Sequence, residues 1–72
     1  MPSFCDRIKN LRIERKLTQK SIAHSIEISE RTYISLENGN TKPSLDTATK
    51  LADYFEVSTD YLLGRSDDPT RH

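Results

Sequence analysis

The sequence predicts an all-α fold: five short helices packed as one domain. Three observations carry that expectation. Apolar residues recur at intervals of three and four along most of the chain, with no strand-like alternation. A Ser or Thr suited to cap a helix stands before each such stretch. Between Phe4 and Leu63 there is a single proline, Pro43, so nothing else interrupts helical runs there.

The elements follow in order. Ser3 with Asp6 three residues later has the form of a capping box, and Phe4, Ile8 and Leu11 then recur at helical spacing. This sets a first helix over about 4–15. Thr18 is the N-cap of a second helix, about 19–25, with Ile22, Ala23 and Ile26 as its apolar stripe. Ser29 opens a third over about 30–37, with Tyr33 and Leu36 inward, and Asn38-Gly39 ends it because glycine adopts the left-handed conformation freely. Ser44 caps a fourth, marked by Leu45, Ala48, Leu51, Ala52 and Phe55. Ser58 caps a short fifth carrying Tyr61, Leu62 and Leu63, stopped by Gly64. Residues 65–72 have nothing to bury and are expected to fray as a flexible polar tail.

Composition narrows the function classes. The chain has 72 residues, 33% hydrophobic and 31% charged, which suits a small helical bundle burying one stripe per helix. The one cysteine, Cys5, cannot form an internal bridge, so a reducing compartment is the simplest setting. No apolar run approaches a membrane span and no secretory segment is visible, so a cytoplasmic protein is expected. Net charge is zero, but its distribution is uneven. Residues 1–42 hold eight basic and five acidic side chains, a net of +3, and residues 43–72 hold three and six, a net of −3. One end of the molecule is therefore suited to face phosphate while the other faces away.

Two short helices joined by a three- or four-residue turn, inside a five-helix array, have the geometry of a DNA reader, in which the second helix enters the major groove. On the third helix, Tyr33, Leu36 and Glu37 share one face, while Arg31 and Ser35 lie on the opposite one. Glu30, Arg31 and Thr32 occupy its first turn. Arg31 can donate twice to guanine, Ser35 can pair with several bases and Glu30 can accept from cytosine. A polar outer face is also what any solvated helix shows, so this surface alone leaves both readings open.

The motifs Arg12-x-x-Arg15, Leu17-Thr18-Gln19, Ala23, Ile28-Ser29, Thr32, Leu36-Glu37-Asn38-Gly39, Pro43-Ser44-Leu45, Leu51-Ala52 and Val57-Ser58-x-Asp60-Tyr61-Leu62-Leu63-Gly64 keep a common order and spacing over residues 5–64. In them the chain resembles the Cro and phage-repressor (XRE-type) family of helix-turn-helix proteins. The resemblance implies a lambda-repressor-like domain over 4–64, with its helix-turn-helix at about 19–38. It implies a transcriptional regulator, a repressor, that binds double-stranded DNA as a homodimer on a near-palindromic operator. It places Glu30, Arg31, Thr32 and Ser35 on base-reading positions, with Ile34 at the margin. Thr18, Gln19, Asn38 and Lys42 fall where such domains grip phosphates, Gln19 also bracing the recognition helix. Arg12 and Glu37 match a pair that meets across helices, which would explain a carboxylate so close to a buried face.

Some positions depart from the family pattern. Glu27 stands where the turn often has glycine. If Glu27 is left-handed, it carries strain on the order of 1 kcal/mol. Glu27 and Glu30 also bring negative charge near the presumed DNA face. Tyr33 replaces an aliphatic core residue and is expected in the core with its hydroxyl at the rim; Ile34 is expected to extend that core. Val57, Tyr61 and Leu63 are expected to be exposed enough to form the self-association surface.

Other classes fare worse. His24 and His72 have no Cys or carboxylate neighbours at metal-ligand spacing, no residue is placed to activate Cys5, and no glycine-rich phosphate loop is present. No enzyme, cofactor, metal or small-molecule ligand is therefore expected. The remaining alternative is a helix-turn-helix module whose chief partner is another protein, such as an antitoxin holding a toxin. The polar end at 65–72 fits either a complete small protein or the start of a linker to a longer regulator.

Overall fold

Capping chemistry at both ends sets each helix in the computed structural model, which describes residues 3–65 and 68–70. The helices are α1 (Phe4–Glu14), α2 (Gln19–Ser25), α3 (Glu30–Asn38), α4 (Leu45–Phe55) and α5 (Thr59–Leu62). Ser3, Thr18, Ser29, Ser44 and Ser58 are the N-caps, and each hydroxyl accepts from the backbone N–H three residues on. At the other ends stand five left-handed residues: Lys16, Glu27, Gly39, Glu56 and Gly64. Each is followed by an N–H that reaches back five residues, as in Leu17 to Arg12, Ile28 to Ala23 and Val57 to Ala52, all at 3.0 Å. These bonds satisfy carbonyls that a helix end would otherwise leave open.

Three of the five left-handed residues are not glycine, Glu27 (φ 61°) among them. In those three cases the next residue is apolar: Leu17, Ile28 or Val57. Its burial anchors the turn and offsets strain of about 1 kcal/mol.

The apolar stripes meet in one core built on Ile8, Ile22, Tyr33, Leu36, Leu51, Phe55 and Leu62. Two arginines tie α1 to the C-terminal half. The Arg7 guanidinium is buried and lies 4.0 Å over the Tyr61 ring. Arg15 lies 5.4 Å over the Phe55 ring and donates to the Phe55 carbonyl at 2.6 Å, covering the end of α4.

Several sequence expectations need correction. Leu45 is 75% exposed and adds nothing to the core. Helical side chains lean toward the N-terminus, so a residue in the first turn projects past the layer that covers Ala48 and Leu51. Val57 is only 6% exposed, drawn in by the turn that closes α4, and is not an open contact surface. Tyr33 is fully buried, hydroxyl included, so that group is not at the rim. The segment expected to fray touches the domain: the Pro69 carbonyl accepts from the Ser58 N–H at 3.0 Å, and the Arg65 N–H donates to the Asp60 carbonyl at 2.9 Å. Residues 66, 67, 71 and 72, His72 among them, lie outside the described residues.

Candidate nucleic-acid interface

The turn between α2 and α3 spans Ile26 to Ser29. Ile26 is buried and Ile28 packs against the core, which anchors the turn on both sides of exposed Glu27. Two helices of seven and nine residues are too short to hold their own shape or mutual angle in water. Packing supplies part of what fixes them. A buried polar junction supplies the rest.

At that junction Arg12, from α1, grips Glu37, from α3, in a bidentate fork. Arg12 Nε donates to Glu37 Oε2 at 2.7 Å and Nη2 donates to Oε1 at 3.1 Å. The third nitrogen, Nη1, donates to the Leu17 carbonyl at 3.2 Å, in the α1–α2 turn. Gln19, in the first turn of α2, donates its side-chain amide to Glu37 Oε1 at 3.3 Å. One carboxylate thus collects bonds from α1 and α2 while being carried by α3. The Glu37 side chain is 2% exposed and that of Arg12 is 17% exposed, so water competes little for either.

Burial pushes the Glu37 carboxyl up. The Arg12 hydrogen bonds outweigh that, helped by the nearby Tyr33 hydroxyl and Gln19, and hold it below the ordinary carboxylate value. Burial first, and then the Glu37 charge, push the Tyr33 phenol far above its ordinary value, so it stays neutral. That hydroxyl lies close enough to feel the pair but makes no well-aligned hydrogen bond.

With the junction facing inward, the outer residues take distinct positions. Glu30, Arg31 and Thr32 are exposed on the first turn of α3, and Ser35 is half-buried one turn further on. Thr32 is partly occupied: its hydroxyl accepts from Ser29 Oγ at 2.8 Å, so its methyl and one hydroxyl proton remain for a ligand. Thr18 is exposed beside the α2 N-terminus, and Asn38 and Lys42 are exposed at and beyond the far end of α3. Gln19 is half-buried, with one amide proton spent on Glu37. Ile34 is half-buried, while Tyr61 and Leu63 are half-buried on and just after α5.

Sequence reasoning did not assign Arg7 or Arg15 a structural task. The only signal was the position of Arg7 on α1 and of Arg15 at its C-cap, each four residues from Leu11 of the stripe. The order of the elements, the caps and the pattern of buried positions all point one way. Residues 8–62 match the helix-turn-helix family. The chain belongs to that family.

Relatives of this helix-turn-helix domain are named as regulators. It is 41% identical over 66 residues to the uncharacterized HTH-type transcriptional regulator YobD of Bacillus subtilis (strain 168), a match covering 92% of this chain and 59% of that protein. It is 36% identical over 64 residues to the cryptic phage CTXphi transcriptional repressor RstR of Vibrio cholerae, covering 89% of this chain and 58% of that protein. The domain thus spans less than two thirds of the length of these curated relatives. Among solved structures it is similar to the P22 c2 repressor protein in complex with synthetic operator 9T. That likeness has a TM-score of 0.84 at 23% identity and covers 92% of this chain and all of that one, a likeness of fold. Among the described residues, no helix is long and apolar enough to cross a membrane.

Proposed function

We propose that this domain is a non-enzymatic, cytoplasmic transcriptional regulator, a repressor, that reads a near-palindromic operator by placing α3 in the major groove. The observation that carries this reading is the exposed first turn of α3, held at a fixed angle on α1 and α2 by the buried Arg12–Glu37–Gln19 junction. Arg31 is the principal base reader, donating twice to guanine. Glu30 accepts from an exocyclic amine, and Thr32 and Ser35 complete the reading face. Thr18, Gln19, Asn38 and Lys42 grip phosphates on either side and set register. The names of the relatives, and the operator bound to the c2 repressor, support DNA as the ligand. The protein-holding alternative, an antitoxin, finds no support in relatives named as regulators and a repressor.

The domain acts as a homodimer, with two recognition helices roughly 34 Å apart to match one turn of DNA. Tyr61 and Leu63, half-buried at the C-terminal side, are the residues offered to the partner copy, with Val57 supporting them from within. Light scattering on a sizing column with operator present should show a dimer; a monomer at every concentration refutes this part. For the reading face, bound sites are selected from a random DNA pool with native and Arg31→Ala/Ser35→Ala protein. A palindromic motif that changes with the double variant supports reading through α3. Arg31→Ala alone should alter sequence preference, whereas Lys42→Ala should weaken all sequences alike and flatten the salt dependence. Equal effects of both on every sequence refute the assignment of faces.

A further inference from the structure

Of the asparagines Asn10, Asn38 and Asn40, only Asn38 is followed by glycine. Two separate demands bring that dipeptide to the far end of α3. The cap needs a left-handed residue, which Gly39 supplies at φ 78°. The proposed phosphate grip needs an exposed, uncharged donor, which Asn38 supplies. Resting on that proposed grip, we infer that Asn38 is a self-modification site. The Gly39 nitrogen displaces its side-chain amide, and this ages the DNA face of protein that is not bound to operator.

The step balances with water as the one co-reactant. The Gly39 backbone nitrogen gives up its proton and bonds to Cγ of Asn38. The side-chain nitrogen takes up a proton and leaves as ammonia, so a five-membered imide remains. Water opens the imide at either carbonyl. One product is aspartate; the other is isoaspartate, whose main chain runs through the former side chain and is one methylene longer. Glycine has no Cβ to crowd the approach. Asn10, by contrast, lies within α1 before Leu11, and Asn40 precedes the β-branched Thr41.

The end of α3 gates the attack. The Gly39 N–H is shared between the Ser35 and Leu36 carbonyls, 3.4 Å from the latter, longer than a well-made bond. The Asn40 N–H closes the same turn on the Ser35 carbonyl at 3.0 Å. Terminal turns open at little cost, and opening this one frees the nitrogen and lets Asn38 rotate toward it. A phosphate against Asn38 holds the turn shut. The product is a carboxylate in the wrong place. It faces the phosphate that the amide would grip, and it adds negative charge beside Glu37 at the negative end of the α3 dipole, in a last turn with no basic side chain. In the isoaspartate form, the extra methylene also displaces the Gly39 cap.

The test incubates the full chain in neutral and mildly alkaline buffer, with and without saturating operator recovered by site selection. Products are mapped by peptide mass and by isoaspartyl-specific methylation. Free protein should convert at Asn38, with a rate rising about tenfold per pH unit as the attacking nitrogen is deprotonated. Asn10 and Asn40 should remain amides, and operator should slow conversion at Asn38 several-fold. Converted protein and Asn38→Asp should each bind operator about tenfold more weakly, the loss of one hydrogen bond to a charged group. Asn38→Gln, whose longer side chain closes the ring poorly, should keep whatever affinity it starts with throughout the incubation. Equal conversion at all three asparagines, no conversion in alkaline buffer, equal rates with and without operator, or unchanged affinity after conversion would each overturn the inference. If fresh native protein selects no DNA, the DNA reading itself falls, while the mass map still scores the chemistry at Asn38, so the two failures are distinguishable.

Discussion

Removing Arg12 should damage the domain most at neutral pH and least in acid. Arg12→Ala deletes both bonds to the Glu37 carboxylate, at 2.7 and 3.1 Å, and the bond to the Leu17 carbonyl. Glu37 is left in place with its side chain 2% exposed, keeping the 3.3 Å contact from Gln19. Stripping one partner from a buried pair costs about 3–5 kcal/mol. A domain of this size has only about 4–11 kcal/mol in total, so the variant should be close to unfolding in mild urea. In the native protein, the lowered Glu37 value contributes stability that is present above the ordinary carboxylate range and lost as pH falls through the folded value. Without Arg12, burial dominates and the folded value rises above the ordinary one. The buried charge then costs stability at neutral pH, and the cost disappears once the carboxyl is protonated. Urea unfolding of both proteins between pH 7 and pH 3.5 should show a gap that narrows through the carboxylate range of roughly 4. A gap that stays constant with pH, or one below about 1 kcal/mol at pH 7, would refute the account of a paired, buried carboxylate.

Three further expectations concern stability. Glu27→Gly, Lys16→Gly and Glu56→Gly should each stabilise the domain by about 0.5–1 kcal/mol, since the relief of left-handed strain exceeds the added chain entropy; urea midpoints check this, and a loss at all three would show the turns are not strained. Tyr33→Phe should fall within about 1 kcal/mol of the native protein because it deletes a buried hydroxyl with no well-formed bond, whereas Tyr33→Ala should cost about 3–5 kcal/mol. A large loss for Tyr33→Phe would mean that the hydroxyl bonds the Glu37 carboxylate in solution. Replacing the pair together, as Arg12→Met/Glu37→Met, should be less harmful than Arg12→Ala alone, since no charge is left buried; thermal unfolding at pH 7 ranks the two.

Much of this architecture was legible locally. Cap residues act on backbone groups within three residues of themselves, so Ser3, Thr18, Ser29, Ser44 and Ser58 announce their helices without reference to the rest of the fold. The apolar stripes are legible for the same reason, since helical spacing is a local property. What escaped local reading depends on neighbours distant in sequence. Val57 is pulled inward by the turn that closes α4, and Leu45 is left outside, 75% exposed, because the first turn of that helix extends past the core layer. Arg7 and Arg15 carry long, flexible side chains that can lie on an aromatic ring or extend into water, and only the position of Tyr61 and Phe55 decides between these. At the interface, residue types and spacing placed Glu30, Arg31 and Thr32 together on one turn. They could not show that the Thr32 hydroxyl is partly taken up by Ser29, because that bond depends on the rotamer of both side chains.

On the proposed reading of DNA by α3, the placement of polar groups in the interior follows from what the outer face must do. Apolar packing is non-directional, so a core of Ile, Leu and Phe resists separation of α2 and α3 more than it resists their rotation. Bidentate contact with a base edge tolerates little rotation, because both donors must meet both acceptors. A guanidinium fork on a carboxylate has the directionality that packing lacks. Its position matters as much as its strength. Glu37 lies at the end of α3 opposite the reading turn, so fixing it to Arg12 and Gln19 fixes the axis about which Arg31 would swing. The desolvation of that carboxylate is thus tolerated at a junction where, on the proposed reading, the angle between helices, and not merely their contact, sets what the outer face can read.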